Sequence, residues 1–555
     1  MNQEPVVGSC FCGTKRLEYV MLLPFDQSVG REPGQNNTKD PARQSEGPGV
    51  WTTPRSTEGP MKVLFVYPEF PDTFWSFKHA LPFQGKRSAY PPLGMLTVSA
   101  MLPAGWQRRA VDMNVRPLRD SDLDWADIVF FSGMIVQGPS MRVAIERAKQ
   151  RGLPTVVGGP IASTQDANIA GADHVVEGEA EELIPQLVAD LQRGEARAHY
   201  KAVRLPDLSR VPLPHLHLTG LRRYSSMAVQ YSRGCPFTCE FCDIIEIYGR
   251  RPRTKSPEQV CAEFDQIYRL GWRGPVFLVD DNFIGNKKNV KVLLPELVRW
   301  MRDHRFPFSL FTEASLNLAE DEELLRQMRQ AHFTRVFLGI ETPVEASLRE
   351  TTKFQNLRRG LLDSVKLIQS WGIEVMAGFI VGFDSDPRDV FDRQIQFIRD
   401  AAIPISMVGL LSALPNTQLW RRLKAEGRLL KESLGSNTLL DMNFMPKMNV
   451  DDLLAGYKRI LETIYSPREY FDRALAFLSQ LGGAARAPIA ASDMMAVARS
   501  LWRQGLFSNY RREYWKFILE AASRHRQHLD KALTLAIMGH HFFELTAATG
   551  TATAS

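Results

Sequence analysis

Cys235, Cys239 and Cys242 form a Cys-x3-Cys-x2-Cys triplet within Tyr231-Ser-Arg-Gly-Cys-Pro-Phe-Thr-Cys-Glu-Phe-Cys-Asp243. Three thiols in one short loop constrain the chain more than any other feature, because the fold must bring them to a common object. A structural zinc site takes four ligands in closed tetrahedral geometry, usually from two Cys-x2-Cys knuckles, and no second knuckle follows. Soft thiolates also suit iron-sulfur clusters. A cubane held by three cysteines leaves one iron without a protein ligand, open to a substrate or cofactor.

The rest of the composition bounds the setting. At 555 residues the chain has room for about three or four domains. Its 68 Lys and Arg against 62 Asp and Glu leave a dispersed net charge of only +6, which gives no ground for a nucleic-acid partner. Six cysteines, three of them in one loop, do not make a disulfide framework, and an oxygen-sensitive cluster fits a reducing cytoplasm. No apolar run reaches the roughly 18 to 20 residues of a membrane span, and no signal peptide is evident. Residues 1–60 are crowded with Gly, Pro, Asn, Gln, Ser and Thr and are expected to be a disordered tail, with Cys10 and Cys12 a free pair in it. A convincing strand, Lys62 to Tyr67, follows Met61 directly, which would also fit a start codon assigned too far upstream.

The expected fold class is α/β. From 61 to 205, apolar runs at Lys62 to Tyr67, Asp127 to Ser132 and Thr155 to Gly158 alternate with helical patterns such as Ser140 to Arg151, the rhythm of a parallel, Rossmann-like sheet. Ligands on such sheets bind beyond the carboxyl ends of the strands, so the candidate loops there are Ser132-Gly133, Gly158-Gly159 and Glu177-Gly178-Glu179. From 206 to 430, strand-then-helix units repeat six times, as in a partial βα barrel, with strands at Val276 to Val279, Phe308 to Phe311, Val336 to Ile340, Val375 to Val381 and Ser406 to Leu411. Barrels of this type build their sites at the same strand ends. The polar and small residues there are Asp280, Asp281 and Asn282, then Glu313 and Ser315 beyond the third strand, then Gly339 and Glu341, then Gly378 and Gly382. Each could be a cap or a turn residue, yet they recur in order. From 431 to 555 the pattern becomes helical.

With its cysteine spacing and Phe241 before the last cysteine, the chain resembles the radical S-adenosylmethionine (SAM) superfamily. A Rossmann-like domain placed first, with Tyr67-Pro-Glu-Phe-Pro71, Pro91-Pro-Leu-Gly94 and Gly158-Gly-Pro160, resembles the cobalamin-binding domain of its class B members. Those members include hopanoid C-2 methylases, which carry a helical C-terminal region. The resemblance implies that the three cysteines hold a 4Fe-4S cluster whose open iron chelates SAM. It further implies that an external donor such as flavodoxin or ferredoxin supplies the electron, and that the 5′-deoxyadenosyl radical abstracts hydrogen from an unactivated carbon, which takes a methyl group from methylcobalamin. Asp280, Asp281 and Asn282 stand where the superfamily has Gly-Gly-Glu for the SAM amino group, while Glu313 and Ser315 would meet the ribose or methionine moiety. Gly339-Ile-Glu-Thr342 resembles a fourth-strand motif, Gly378 to Phe383 would approach the adenine, and Leu414-Pro-Asn-Thr-Gln-Leu-Trp420 resembles Pro-Gly-Thr-x-Leu-Trp with Asn416 for the glycine. No Asp-x-His-x-x-Gly occurs, so cobalt is expected to lack a protein imidazole beneath it, and His79, His174 and His199 have other contexts.

Other features stay open at this level. The basic loop Tyr248 to Lys255 reads equally as a site for cobalamin, the SAM carboxylate, a phosphate or an acidic electron donor and as solvated surface. Cys261 reads as core. Arg499 to Lys531 mixes aromatics with cations, as an interfacial helix, a substrate lid or ordinary helix packing would, and so allows peripheral membrane contact. His540 and His541 point to different helix faces and receive no role. The rival functions are a cyclase or ring-contraction enzyme using the same cofactors, and a non-catalytic cobalamin sensor or carrier. A small-molecule or lipid substrate is expected without further definition.

Overall fold

Alternate residues of the first strand, Val63 with Phe65 and Leu64 with Val66, enter two different cores, and this double burial sets the architecture of the first half. The structure is a computed structural model that describes residues 59–164, 169, 171–433, 435–436, 442–483 and 491–551. The expected disordered tail, with Cys10 and Cys12, lies outside the described residues apart from Gly59 and Pro60.

Strands β1 (Lys62–Tyr67), β2 (Gln107–Asp112), β3 (Ile128–Ser132), β4 (Thr155–Gly158), β5 (His174–Glu177) and β6 (His199–Lys201) form a parallel sheet in the order β2-β1-β3-β4-β5-β6. Helices Leu93–Met101 and Leu183–Arg193 contribute to one core, and Asp120–Trp125 and Gly138–Lys149 to the other. Sheets covered on both faces read as nearly continuous apolar runs, which is why β1, β3 and β4 are legible in the sequence. Strand β2 is not among the runs read from the sequence. It carries Arg108 and Arg109 and lies at the sheet edge, where its first residues are exposed or half-buried.

A second parallel sheet runs in unbroken chain order from β7 (Met227–Val229) through β10 (Gly274–Leu278), β11 (Phe308–Ala314), β12 (Phe333–Glu341) and β13 (Glu374–Val381) to β14 (Ser406–Leu410). A short antiparallel ribbon of β8 (Ser232–Arg233) and β9 (Arg253–Thr254) flanks the cysteine loop. Right-handed crossovers that always advance in one direction put every connecting helix on the same side. Accordingly Pro257–Arg269, Lys287–Asp303, Glu322–Gln330, Leu361–Ser370 and Val390–Asp400 all contribute to one core. On β11, Leu310, Thr312 and Ala314 are buried, whereas Ser309, Phe311 and Glu313 on the other face are only half-buried. Glu313 therefore lies within the strand and points off its inner face, not beyond the strand as its sequence position was read.

Beyond helix Gln418–Ala425, which follows the second sheet directly, the described residues form the helices Val450–Ile464, Pro467–Gln480, Ala491–Ser500, Arg511–Arg524 and Leu529–Thr551. Tyr465 binds the edge strand β14 through Ser406, donating to its carbonyl at 2.6 Å and accepting from its N–H at 3.1 Å. The buried Arg473 donates to Ile403 and Ile464 carbonyls, each at 2.8 Å. Cys261 packs partly buried against the core of the second sheet. Among the described residues no helix is long and apolar enough to cross a membrane.

Candidate functional site: the cysteine loop and the cavity beside it

The cysteine loop is fixed by its own backbone first. Gly234 has φ +93°, and a Cβ there would come 2.8 Å from Gly249 O and 3.0 Å from Tyr248 O, so only glycine lets the chain pass over itself. Cys235 N–H donates to Gly249 O at 3.2 Å, and Cys242 N–H to Cys239 O at 3.1 Å. The buried carboxylate of Asp280, just past β10, accepts from Tyr231 N–H at 3.3 Å and from Ser232 N–H. On the opposite side, Glu240 N–H donates to Thr351 O at 3.1 Å, and Glu240 O accepts from Leu419 N–H at 2.9 Å.

Helix Gln418–Ala425 completes the frame. Thr417 caps it by accepting from Trp420 N–H at 3.1 Å, and Arg422 pairs with Glu240 at 2.6 Å. Asn416, just before the cap, has φ +66°, a left-handed conformation that asparagine tolerates better than other residues with a Cβ. The motif from Leu414 to Trp420 thus docks a helix onto the cysteine loop, and the asparagine keeps the turn in a place where the resembling motif has glycine.

Cys239 is buried, while Cys235 and Cys242 are half-buried. Burial pushes the Cys235 and Cys242 thiols up, so their thiolates need positive charge close by. Asn282 Nδ2 donates to Cys235 Sγ and Gln355 Nε2 to Cys239 Sγ, both at 3.6 Å. Lys353 pairs with Glu341 and lies 5.7 Å from the Phe241 ring centroid. Burial opposes its charge, but Glu341 and the sulfurs of Cys239 and Cys242 hold the ammonium protonated well above the usual lysine range. Among the described residues no three His, Cys, Asp or Glu side chains converge as the shell of one metal ion. Amide N–H groups thus stand at two of the three sulfurs.

Carboxylates collect at the neighbouring strand ends. Burial pushes Asp280 up to about 6. Burial, with Asp280 and Asp243 beside it, pushes Asp281 up to about 7, and its Oδ2 is buried without a hydrogen-bond partner. Burial and the charges of Asp281 and Asp280 push Glu313 up to about 8. Asn282 and Ser315 bind each other, the Ser315 N–H donating to Asn282 Oδ1 at 3.2 Å. Glu341 ends β12 at φ +67°, where the register with β13 shifts, a strain of the kind that clusters at functional sites. A Cβ on Gly339 would lie 2.4 Å from the Glu341 carboxylate, so that glycine makes room for the Glu341–Lys353 pair.

A cavity of about 1790 Å³ opens from this end of the sheet. Its wall on the second sheet includes Phe277, Phe311, Glu313, Phe337 and Met407, and Phe241 of the cysteine loop also reaches it. Phe277 and Phe311 stack at 4.6 Å, and Trp75 meets Phe337 edge-on at 5.1 Å. Gly378 does not line the cavity, but a Cβ there would come 2.9 Å from the Phe337 ring that does. Gly382, at φ +107°, donates its N–H to Asp386 at 2.9 Å. From the C-terminal helices come Leu529, Leu533 and Ile537, one face of Leu529–Thr551.

The first sheet contributes the strand-end residues Tyr67, Glu69, Asn114, Met134 and Val136. The small residues singled out in its loops lie just behind these. Gly159, at φ +84°, would place a Cβ 2.9 Å from Ser132 Oγ and 3.0 Å from Gly133 O, so Ser132, Gly133 and Gly159 interlock at the ends of β3 and β4. Gly158 has only ordinary contacts with β5, and Gly178, at φ +98°, is held 2.7 Å from Ala202 Cβ by the same measure. Glu179 beyond it turns to the second sheet, where Arg233 and Arg253 each bind it at 2.5 Å. Part of the basic loop is therefore structural: Arg253 ties the two sheets through Glu179, and Lys255 pairs within the second half with the buried Glu263. His174 binds Arg197 O at 2.7 Å and His199 pairs with Glu177, so both are engaged away from the cavity. The strand ends of two sheets facing one broad space fit a large planar cofactor bordered by hydrogen-bonding groups. Lys353 and Gln355 carry no signal in the sequence, where each looks like an ordinary loop residue, whereas the segment Arg499 to Lys531, for which a substrate lid is one of the sequence readings, does reach the cavity through Arg503, Arg526 and Leu529, and Leu533 and Ile537 lie beyond it.

The chain matches the family models "Radical SAM superfamily" over residues 229–398, "B12 binding domain" over 87–188 and "Domain of unknown function (DUF4070)" over 417–553. It is 44% identical to an uncharacterized methyltransferase of Synechocystis sp. over 87% of this chain and 92% of that protein. It is 35% identical to the hopanoid C-2 methylase of Rhodopseudomonas palustris over 86% of this chain and 92% of that one. In fold it is similar to the cobalamin-dependent S-adenosylmethionine radical enzyme OxsB, at a TM-score of 0.57 and 15% identity over 89% of this chain and 80% of that one. The chain belongs to the cobalamin-binding radical SAM methyltransferases, and its cofactors are a 4Fe-4S cluster, SAM and cobalamin.

Proposed function

We propose that this methyltransferase acts on an unactivated carbon of a bulky apolar lipid, of the hopanoid class for which the Rhodopseudomonas palustris relative is named. The observation that carries the reading is the cavity of about 1790 Å³, walled by Phe277, Phe311, Phe337, Leu533 and Ile537 on the way from the cysteine loop to the C-terminal helices. In this reading Cys235, Cys239 and Cys242 ligate the cluster, with Asn282 and Gln355 donating to the sulfurs. Asp281, whose Oδ2 has no partner, and the cavity-facing Glu313 accept hydrogen bonds from bound SAM. The strand ends of the first sheet hold cobalamin through the loops of Ser132, Gly133, Gly158, Gly159 and Gly178. When bound, the cofactors would supply the radical and the methyl group, with the electron coming from an external donor; the protein positions them and keeps water out through its aromatic wall.

The surface near the cavity supports a lipid substrate. Trp502 and Phe507 are 64% and 67% exposed with rings 5.0 Å apart, and Met494 and Arg503 lie on both this surface and the cavity wall. A protein acting in the cytoplasm could take a lipid from a membrane through such a basic and aromatic face. Ring contraction or cyclisation without methyl transfer is the second reading, and cyclase relatives match less of the chain at lower identity.

The experiment is anaerobic turnover of the reconstituted protein with a hopanoid and SAM bearing a deuterated methyl group. A product carrying that methyl would support the reading. SAM cleavage with a product that lacks it would favour ring rearrangement, and no turnover of any polycyclic lipid would sink the substrate assignment.

A further inference from the structure

The cysteine loop has two faces, and the functions above use only one. Phe241 turns toward the large cavity, whereas Pro236 and Phe237, between Cys235 and Cys239, line a separate open hollow of about 400 Å³. Arg251 and Lys287 form part of its rim. Arg250, Arg251 and Lys288 are exposed and have no acidic partner among the described residues, and Lys287 donates only to the Asn317 carbonyl, at 2.8 Å. The two acids whose charge reaches Lys287 are already paired, Asp321 with Lys291 at 2.8 Å and Glu320 with Arg358 at 3.9 Å. The basic loop thus divides: Arg253 and Lys255 are turned into structural pairs, whereas Arg251 stays unneutralised on the rim beside Pro236 and Phe237, with the exposed Arg250 and Lys288 next in sequence to the rim residues Arg251 and Lys287.

We propose that this face, formed by Arg250, Arg251, Lys287 and Lys288 around Pro236 and Phe237, is the docking surface for an acidic, low-potential protein carrier that delivers the electron. The inference rests on the cluster reading of Cys235, Cys239 and Cys242. Electron transfer needs a short path, and the outer face offers one through a single loop, while the cavity face is taken up by substrate and cofactors. Charge complementarity selects an acidic partner and speeds encounter rather than holding a long-lived complex. One electron leaves the carrier and enters the bound cluster, so the carrier is oxidised by one and the cluster reduced by one, with no bond or proton exchanged.

The test is stopped-flow reduction of the reconstituted full-length protein by a reduced flavodoxin and, separately, by dithionite. It compares the native chain with Arg251→Glu/Lys288→Glu and with Arg511→Glu/Arg512→Glu on another helix. Iron and sulfide are counted in each. We expect the first double variant to keep its iron and its dithionite rate while reduction by flavodoxin slows about tenfold or more at low salt. The second variant should match the native chain, and raising the salt should narrow the gap. Titration of oxidised flavodoxin into the Cys239→Ala chain, which needs no cluster, should show the same weakening in the charge-reversed background. Unchanged flavodoxin rates in Arg251→Glu/Lys288→Glu overturn the proposal, as does equal slowing with both reductants. Absence of iron in the native chain would instead overturn the cluster reading itself.

Discussion

Both sheets have six parallel strands, yet they leave different surfaces free. In the first, the order β2-β1-β3-β4-β5-β6 reverses at β1, which sends helices to both faces and gives two separate cores. In the second, β7 to β14 advance without reversal, the helices all fall on one side, and the inner face carrying Phe311, Glu313 and Phe337 is left for the cavity. A reversing sheet can bind only at its strand ends, whereas a one-way sheet can also bind along its concave face. The cofactor-sized space lies between an edge of one kind and a face of the other.

The most damaging change should be Cys239→Ala on the one-way sheet. Iron should fall from about four per chain toward none, and SAM cleavage to background, with the far-ultraviolet circular dichroism retained. A next, smaller effect should come from cutting the strut between the sheets. The Glu179 side chain is 1% exposed and binds both Arg233 and Arg253, so Glu179→Ala leaves the half-buried Arg253 without an acidic partner and Arg233 with Glu181 alone, at 2.7 Å. A loss of about 3 kcal/mol in chemical unfolding is expected, and no loss would mean that Glu179 does not hold the sheets together.

Within the reversing sheet, Gly159→Ala should cost about 1–3 kcal/mol, since a Cβ would meet Ser132 and Gly133 at a positive φ. Gly158→Ala beside it, with contacts of 3.8 Å or more, should cost much less. Equal costs at the two positions would remove the argument for interlocked loops.

The last effect is confined to high pH and vanishes in acid. Glu313 is pushed from 4.5 up to about 8 by burial and by Asp281 and Asp280, so the folded state holds a proton that the unfolded chain releases near 4.5. The stability that this proton represents is complete below about 4.5 and is lost as pH rises through about 8. Glu313→Gln in the cofactor-free chain should therefore raise the melting temperature by about 5 °C at pH 8.5 relative to the native chain, with the gap closing by pH 5. A gap that does not change with pH would show that the carboxyl is not held protonated.

How far the sequence could be read differs between the regions for the same reasons. Strands β1 and β4 were read with the bounds they have, because both their faces are buried and their runs are continuously apolar. Edge strand β2 escaped because Gln107, Arg108 and Arg109 look like loop. At the site, the cysteine spacing and the polar residues at 280–282, 313 and 315 were legible as a set, and the structure brings them to one end of the second sheet. Their individual tasks were not legible: Asp280 serves two backbone N–H groups of the cysteine loop, and Glu341 pairs with Lys353, a partner outside its own motif.

The sequence by itself determined the cysteine loop, the order of the two α/β halves and the strand ends at which polar residues gather, because these depend on spacing and on local burial pattern. Only the tertiary structure decided that Glu179 ties the sheets together, that Lys353 stands beside the cysteine sulfurs, and that a C-terminal helix closes the cavity with Leu529, Leu533 and Ile537. Each of those outcomes joins residues far apart in the chain, and an apolar helix face or a lone acid does not carry in its own neighbourhood the identity of what it will meet.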